Sequence, residues 1–158
     1  MNNSRVACNF IDRDDHDPVG YKEITCHLIF YVKMGLTRKA RYVAGGHIAN
    51  PPSYMTYVSV VSRDSVRLAF LIAALIFLDI LAGYIQNTYL NAPIKEKLFF
   101  YAGDECKYDQ GRVFIIFRAL YGLKSSGLAW GDHFSYVLCN HFGLQSSLAH
   151  TNVWFKAE

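Results

Sequence analysis

One short stretch of this sequence combines residue types that bind phosphate. Residues 118–130 read R-A-L-Y-G-L-K-S-S-G-L-A-W, and the apolar run of residues 113–117 directly precedes them. The stretch places Gly122 and the cation Lys124 before two serines and an apolar helical pattern. A strand followed by a glycine turn, a cation and a hydroxyl-rich helix start predicts an element that faces a phosphate group. The same residues also fit a simple helix cap, and both interpretations stay open.

The overall composition is typical of an ordered domain. The chain has 158 residues, which suits one domain with a real core. It is 52% hydrophobic, 15% aromatic and 18% charged, which argues against wholesale disorder and indicates a buried interior that contains β-sheet. The net charge of +3 is compatible with nucleic-acid binding. Many ordinary domains are equally basic, so the charge alone does not identify a partner.

The elements that must position these groups follow from hydrophobic periodicity and turn residues. Runs rich in aromatic and β-branched residues predict strands at residues 26–32, 41–44, 54–61, 80–90, 98–101 and 113–117, and another beginning at 153. Ser62 is a suitable N-cap for one helix, and residues 126–141 show helical spacing with Gly143 as the stop. Residues 1–20 are polar and predict a poorly ordered lead-in to a domain at residues 21–158. This order predicts an α+β fold with a mixed or antiparallel sheet packed on helices.

An apolar stretch after Ser62 has two interpretations. Residues 68–78 are continuously apolar, and residues 80–85 continue the trend after Asp79. A membrane span needs about 20 apolar residues, and an aspartate placed in lipid costs roughly 3 kcal/mol. We therefore predict a buried core helix and no membrane partner. A small membrane-associated protein built on residues 68–85 is the alternative.

The cysteines and the first residues give no sign of zinc or secretion. Cys8, Cys26, Cys106 and Cys139 are scattered and form no C-x-x-C pair, so we expect reduced thiols rather than a zinc site. The first residues lack an apolar core of signal-peptide length. This favours an intracellular location, cytoplasmic or nuclear, over secretion.

Several blocks in the same order resemble the reverse transcriptases of copia-type LTR retrotransposons. Residues 121–126 resemble that family's Y-G-L-K-x-S, residues 37–47 its Y-K-A-R-L-V-A-K-G strand, residues 56–61 its T-F-S-P-V, residues 65–67 its S-I-R, residues 89–91 its F-L-N-G, and residues 142–154 its G-F-x-x-S-x-x-D-x-x-x-W/F. The resemblance extends over about residues 19–154. It implies an incomplete fingers and palm part of a polymerase domain, with RNA-directed DNA polymerisation as the ancestral activity.

The resemblance also implies that the catalytic metal ligands are missing. In the family, one aspartate of a D-V-x-x-A-F-L strand and two of a Y-V-D-D hairpin hold two Mg²⁺ ions for nucleotidyl transfer. Tyr84 stands at the position of the first aspartate, and the sequence contains no Y-V-D-D. A phenol offers no carboxylate bridge between two cations. On a continuous strand Asp79 would face the other way, about 17 Å distant. We therefore expect no catalytic residue, no catalytic Mg²⁺ site and an inactive fragment of a decayed or truncated element.

The basic residues of the resembling blocks remain candidates for binding. In the family, the region of Lys39 and Arg41 approaches the phosphates of the incoming nucleotide, and Lys124 would lie near a template or primer backbone. On a strand Lys39 and Arg41 share a face, while Arg38 lies on the other. The alternative is a solvated basic edge strand and a solvated helix-entry lysine. The implied partner is an RNA or DNA template–primer, bound weakly, and a non-catalytic nucleic-acid-binding remnant is the alternative function.

Overall fold

The computed structural model describes residues 8–11, 18–46 and 58–156. The strands are β1 (Cys8–Ile11), β2 (Lys22–Glu23), β3 (Cys26–Val32), β4 (Arg38–Ala44), β5 (Pro93–Tyr101), β6 (Val113–Arg118), β7 (Gln145–Ser146) and β8 (Trp154–Phe155). The α-helices are α1 (Arg63–Leu75) and α2 (Ser126–Phe142), and short 3-10 helices span Thr88–Asn91 and Asp104–Asp109. The fold is α+β, as the sequence predicted.

A mixed four-stranded sheet in the order β1-β6-β5-β2 forms the base of the fold. Strand β6 runs antiparallel to β1 and to β5, whereas β2 runs parallel to β5. Leu98 pairs with Ile116 and Phe100 with Phe114, so alternate side chains of β5 and β6 reach the same face. That face contributes to the main hydrophobic core, whose buried members are Ile24, Ala44, Leu98, Phe100, Ile116, Leu120 and Leu123.

The predicted lead-in contains one of these strands. Residues 8–11 of the interval 1–20 form β1, which pairs with β6, and residues 1–7 and 12–17 lie outside the described residues. The residues around β1 are polar, so no local pattern predicted this strand. Its four residues form a strand because they pair with β6, which is distant in the sequence.

Strands β3 and β4 form a separate antiparallel hairpin that projects from the core. The pairing runs from Cys26 opposite Ala44 to Val32 opposite Arg38, so β4 begins three residues earlier than predicted. Pairing with β3 supplies the hydrogen bonds that extend β4 in this direction. The hairpin is buried at its base, where Ala44 is 3% exposed, and exposed towards its tip, where Phe30 is 75% exposed.

Helix α1 is a helix as predicted, but its apolar face is not buried by the described residues. The Ser62 hydroxyl accepts a hydrogen bond from the Ser65 amide at 3.0 Å, which confirms the predicted N-cap. Only Ala73 of the helix is buried, whereas Leu68, Leu71 and Leu75 are all more than half exposed. The prediction of a buried helix through residue 78 was therefore wrong for this part of the chain. The helix ends at Leu75, and none of the described helices is long and apolar enough to cross a membrane.

The strand predicted at residues 80–90 is absent. Residues 78–85 have no regular structure, Asn87 adopts a left-handed conformation with φ of 50°, and the 3-10 helix Thr88–Asn91 follows. Among the described residues this segment pairs with no other strand, and apolar alternation without a partner does not form a strand. Of the strand predicted at 54–61, residues 54–57 lie outside the described residues, and residues 58–61 are irregular.

Helix α2 agrees closely with the prediction. It spans Ser126–Phe142 and ends at Gly143, whose φ of 65° is the left-handed conformation that favours glycine at a helix end. The Gly143 amide donates to the Cys139 carbonyl at 3.1 Å. At the other end, the buried Ser126 hydroxyl donates to the Leu120 carbonyl at 2.5 Å. This bond ties the helix start to the loop that leaves β6.

Candidate functional site

The basic residues of β4 are arranged by the register of the β3–β4 hairpin. Tyr31 pairs with Lys39, and Ile29 pairs with Arg41. Because side chains alternate across a strand, Lys39 and Arg41 share one face with Tyr31, and Arg38 lies on the opposite face. Lys39 and Arg41 are both exposed. The sequence predicted this division of the cations between the two faces of β4, and the observed register places an aromatic ring beside them.

The loop after β6 packs against the end of β4. Tyr121 forms an isolated parallel bridge with Val43, and the Ala44 amide donates to the Tyr121 carbonyl at 2.8 Å. Gly122 has a φ of +95°, and a β-carbon at this position would overlap the Ala44 carbonyl oxygen. A glycine is therefore required here by backbone conformation and by close approach. The structure thus brings the Y-G-L-K block to the basic hairpin.

Arg41 is the residue that joins the two segments. Its guanidinium carbon lies 5.2 Å from the centre of the Tyr31 ring and 4.9 Å from the centre of the Tyr121 ring. Both distances are within the range of cation–π attraction. Tyr121 in turn packs against Tyr89, with ring centres 4.9 Å apart. The guanidinium is held by aromatic rings, and the described carboxylates lie beyond ion-pair distance of it.

An arginine held in this way can still bind an anion. The guanidinium is planar, and stacking on a ring uses its face while its N–H groups point outward in the plane. Those N–H groups match the oxygens of a phosphate. Lys39 adds a second cation on the same face of the hairpin. The arrangement is suited to binding a phosphate-bearing ligand along the hairpin face.

Lys124 is exposed and lies in the turn that leads into α2. It follows Tyr121 and Gly122 in the same loop, so the contacts of these two residues with β4 position Lys124 as well. The structure therefore brings together Arg41, Lys39 and the loop that carries Lys124. The sequence had associated these residues through the family resemblance alone.

Tyr84 does not lie in a group of potential metal ligands among the described residues. It is 85% exposed and lies in the irregular segment of residues 78–85, as does the exposed Asp79. Because this segment is not a strand, the predicted distance and orientation between Asp79 and Tyr84 do not apply. Within residues 8–11, 18–46 and 58–156, no three His, Cys, Asp or Glu side chains come together in a group that could hold a metal ion. The side chains at this position do not fit a two-metal centre.

The Cys8 and Cys26 thiols near the base of the hairpin are partly buried. Burial raises the pKa of Cys8 to about 11. Burial, followed by the neighbouring Cys8 and Glu105, raises the pKa of Cys26 to about 12. Burial is also the main cause that raises the pKa of Tyr42, whose hydroxyl lies 3.5 Å from Glu105. Protonated thiols are poor nucleophiles and poor metal ligands, so we expect these two thiols to be unreactive near neutral pH.

The aromatic partners of Arg41 are the functional residues that sequence reasoning missed. The sequence placed Tyr31 in a strand and Tyr121 in the glycine turn, and it assigned a contact with Arg41 to neither residue. The signal for Tyr31 was available, since a tight hairpin turn at residues 33–37 sets the register that brings Tyr31 opposite Lys39. The contact of Tyr121 with Arg41 depends on tertiary packing between segments distant in sequence. No local pattern predicts that contact.

A comparison of the sequence with known protein families supports the resemblance carried by the hairpin and the Y-G-L-K block. The family model for reverse transcriptase (RNA-dependent DNA polymerase) matches residues 13–157, which is most of the chain. The chain belongs to the copia-type reverse transcriptase family. The match begins inside the predicted lead-in, and it includes both the basic hairpin and the Tyr121 loop.

Relatives of this copia-type reverse transcriptase chain include two proteins of Saccharomyces cerevisiae. The truncated transposon Ty1-A Gag-Pol polyprotein is 30% identical over 86% of this chain and 11% of its own length. The transposon Ty1-DR4 Gag-Pol polyprotein is 31% identical over 86% of this chain and 8% of its own length. The chain thus spans about a tenth of the length of these curated relatives. No solved structure matches it.

Proposed function

We propose that this chain is the fingers–palm part of a copia-type reverse transcriptase domain, and that it binds the phosphate backbone of a template–primer without catalysing nucleotide transfer itself. The single observation that carries the binding proposal is the position of Arg41 between the rings of Tyr31 and Tyr121. The contact joins the hairpin and the Y-G-L-K loop, which are the two segments whose cations the family resemblance assigns to nucleic acid.

The shape of the hairpin supports its assignment to the fingers. Strands β3 and β4 form a two-stranded unit separate from the four-stranded sheet. The outer half of β4 is exposed on both faces, whereas its end at Ala44 is part of the core. A projecting basic hairpin anchored at its base can reach over a bound duplex, and the mixed sheet with α2 corresponds to the palm in this proposal.

Electrostatics gives the binding proposal a measurable consequence. If Lys39, Arg41 and Lys124 each neutralise one phosphate, about three counterions are released from the duplex. The logarithm of the association constant should then fall with the logarithm of salt concentration with a slope of about −2.7. Between 50 and 200 mM salt the affinity should fall about 40-fold. Weak, salt-sensitive binding with little sequence preference is the expected behaviour, because contacts to the backbone carry no sequence information.

The proposal that the chain is inactive rests on Tyr84 and on its surroundings. Reverse transcriptases in general use Mg²⁺ bound by carboxylates, and two such ions would activate the primer hydroxyl and neutralise the leaving pyrophosphate. The resemblance aligns Tyr84 with one of the metal-binding aspartates, and a phenol does not supply a bridging carboxylate. Tyr84 lies in an exposed, irregular segment, and among the described residues no group of three His, Cys, Asp or Glu side chains that could hold a metal ion is found there.

Two experiments test the two parts of this proposal separately. Fluorescence anisotropy with a labelled RNA–DNA hybrid, titrated between 50 and 200 mM salt, should show the steep loss of affinity stated above. A flat salt response, or no binding at 50 mM salt, would reject backbone binding. Primer extension by the purified chain with Mg²⁺ or Mn²⁺ should give no product, and template-dependent extension that requires the added metal would overturn the proposed inactivity.

A further inference from the structure

A cavity beside helix α2 has walls suited to an apolar ligand. The cavity has a volume of about 450 Å³ and lies between the beginning of β5 and helix α2. Its apolar walls include Ile94 from β5 and Leu128, Ala129 and Tyr136 from α2. A volume of this size is typical of sites for small organic molecules, which are concave and mostly apolar with few polar groups.

Two residues that line this cavity carry buried polar atoms with no hydrogen-bond partner in the described part of the chain. These atoms are the Glu96 Oε2 and the Ser125 Oγ. Ser125 is only 3% exposed, and although it occupies the N-cap position of α2, its side chain makes no capping hydrogen bond. Buried polar groups are almost always hydrogen-bonded, because leaving one unpaired is costly. Two such atoms beside one cavity point to a missing donor.

The charges around the cavity indicate the kind of donor. Three charged side chains line it: Lys95, Glu96 and Asp132. Lys95 Nζ lies 3.4 Å from Asp132 Oδ2, so these two side chains pair with each other. Among the residues that the structure describes, no cation lies within ion-pair distance of Glu96. A ligand that brings its own positive charge and N–H groups would satisfy Glu96 and Ser125 together.

We propose that this cavity binds a small organic cation, such as an amidine or a primary amine on an apolar ring system. The charged N–H group would donate to Glu96 Oε2 and Ser125 Oγ, and the apolar body would pack on Ile94, Leu128 and Ala129. The residues of this site are different from those of the Arg41 surface. The two proposals therefore rest on different residues and can be tested separately.

The test compares two probes that share one body and differ in charge. Biphenyl-4-carboxamidine and biphenyl-4-carboxylate are titrated into the full chain, and binding is followed by the backbone amide shifts of α2 in ¹⁵N–¹H NMR spectra. The amidine should bind at least about tenfold more tightly than the carboxylate. Shift changes should concentrate at residues 128–136. Equal affinities, or tighter binding of the carboxylate, would overturn the proposal without any variant.

Variants then test which side chains of the cavity recognise the positive charge of the amidine. Glu96→Gln keeps the shape of the side chain and should weaken amidine binding about tenfold, and Ser125→Ala should weaken it about threefold. Glu23→Gln removes an exposed carboxylate from β2, away from the cavity, and should leave the affinity unchanged. Circular dichroism checks that each variant is folded. If Glu23→Gln and Glu96→Gln weaken binding equally, the amidine responds only to net charge and the proposed site is wrong.

Discussion

The guanidinium of Arg41 lies 4.9 Å from the ring centre of Tyr121. This contact connects the middle of a projecting hairpin to the loop that follows β6. The same loop is fixed by backbone contacts of Tyr121 and Gly122 with Val43 and Ala44. A cation held against a ring retains fewer conformations than a free surface arginine, so less entropy is lost when it binds a phosphate. The contact therefore links the packing of the loop to the binding proposed for the hairpin.

Replacing Arg41 should weaken binding of nucleic acid more than replacing Arg38, which lies on the opposite face of β4. Arg41→Ala should weaken binding of an RNA–DNA hybrid about fivefold at 50 mM salt and reduce the magnitude of the salt slope by about 1. Arg41→Lys keeps the charge but loses the planar stacking group, so its affinity should lie between those of the natural sequence and of Arg41→Ala. Anisotropy titrations at several salt concentrations measure both quantities.

Arg38→Ala is the matched control for Arg41, because it removes the same charge from the opposite face of β4. We expect little change in its salt slope. If the Arg38 and Arg41 variants lose the same affinity and the same slope, the two faces are equivalent, and the role assigned to the Arg41 face would be wrong.

The close approach of the Tyr121 loop to β4 predicts a large loss of stability for Gly122→Ala. The new methyl group would overlap the Ala44 carbonyl oxygen, and an alanine is strained at a φ of +95°. We expect a decrease in the free energy of unfolding of about 3 kcal/mol, measured by urea denaturation. Gly35→Ala is the control, since a β-carbon there meets no atom within 4 Å. Equal stability of the two variants would contradict the packing of this loop.

The buried thiols predict a loss of stability in alkaline solution. Burial raises the pKa of Cys26 from 9.0 to about 12 and that of Cys8 from 9.0 to about 11. The unfolded chain releases these protons near pH 9, whereas the folded chain retains them, so unfolding becomes more favourable as the pH rises. The stabilisation is complete below about pH 9 and declines up to pH 11–12.

Urea denaturation at pH 8, 9.5 and 11, with a reducing agent present, measures this dependence. The double variant Cys8→Ala/Cys26→Ala should lose less stability than the natural sequence over this interval, because alanine does not titrate. The comparison removes the contribution of the lysines and of the tyrosines distant from these thiols, which is shared by both proteins. Tyr42 counts with the thiols, because, besides burial, Cys26 contributes to its raised pKa. Parallel curves for the two proteins would show that the thiols do not carry the effect.

The exposed apolar stripe of α1 predicts self-association. Leu68, Leu71 and Leu75 lie on one face of the helix at helical spacing, and all three are more than half exposed. Burying each leucine contributes roughly 1.5–3 kcal/mol. The double variant Leu71→Glu/Leu75→Glu should therefore weaken self-association by at least about tenfold. Sedimentation velocity over a range of protein concentrations measures this change.

Val19→Glu serves as the control for the α1 variant. Val19 is 97% exposed and lies outside α1, so it adds a charge without altering the stripe. We expect its self-association to match that of the natural sequence. If Val19→Glu weakens association as much as the α1 variant, then net charge rather than the apolar stripe governs it.

Several elements could be predicted because their signals are local. The N-cap Ser62, the helix stop Gly143 and the aromatic, β-branched run of β3 each act through neighbouring residues in the chain. The strand predicted at residues 80–90 could not be decided in this way. Its alternation satisfies the pattern for a strand, but a strand also needs a partner, and residues 80–90 pair with none of the described strands.

The sequence by itself determined the family, the α+β class and helix α2. It also determined that Lys39 and Arg41 lie on the face of β4 opposite to Arg38. These follow from residue order, side-chain alternation and turn chemistry, which are properties of short segments. Only the tertiary structure decided that Arg41 contacts Tyr121, that the stripe of α1 stays exposed, and that Glu96 lines a cavity with one carboxylate oxygen unpaired among the described residues. Contacts, burial and strand pairing depend on which distant segments come together. A single sequence does not specify those partners locally.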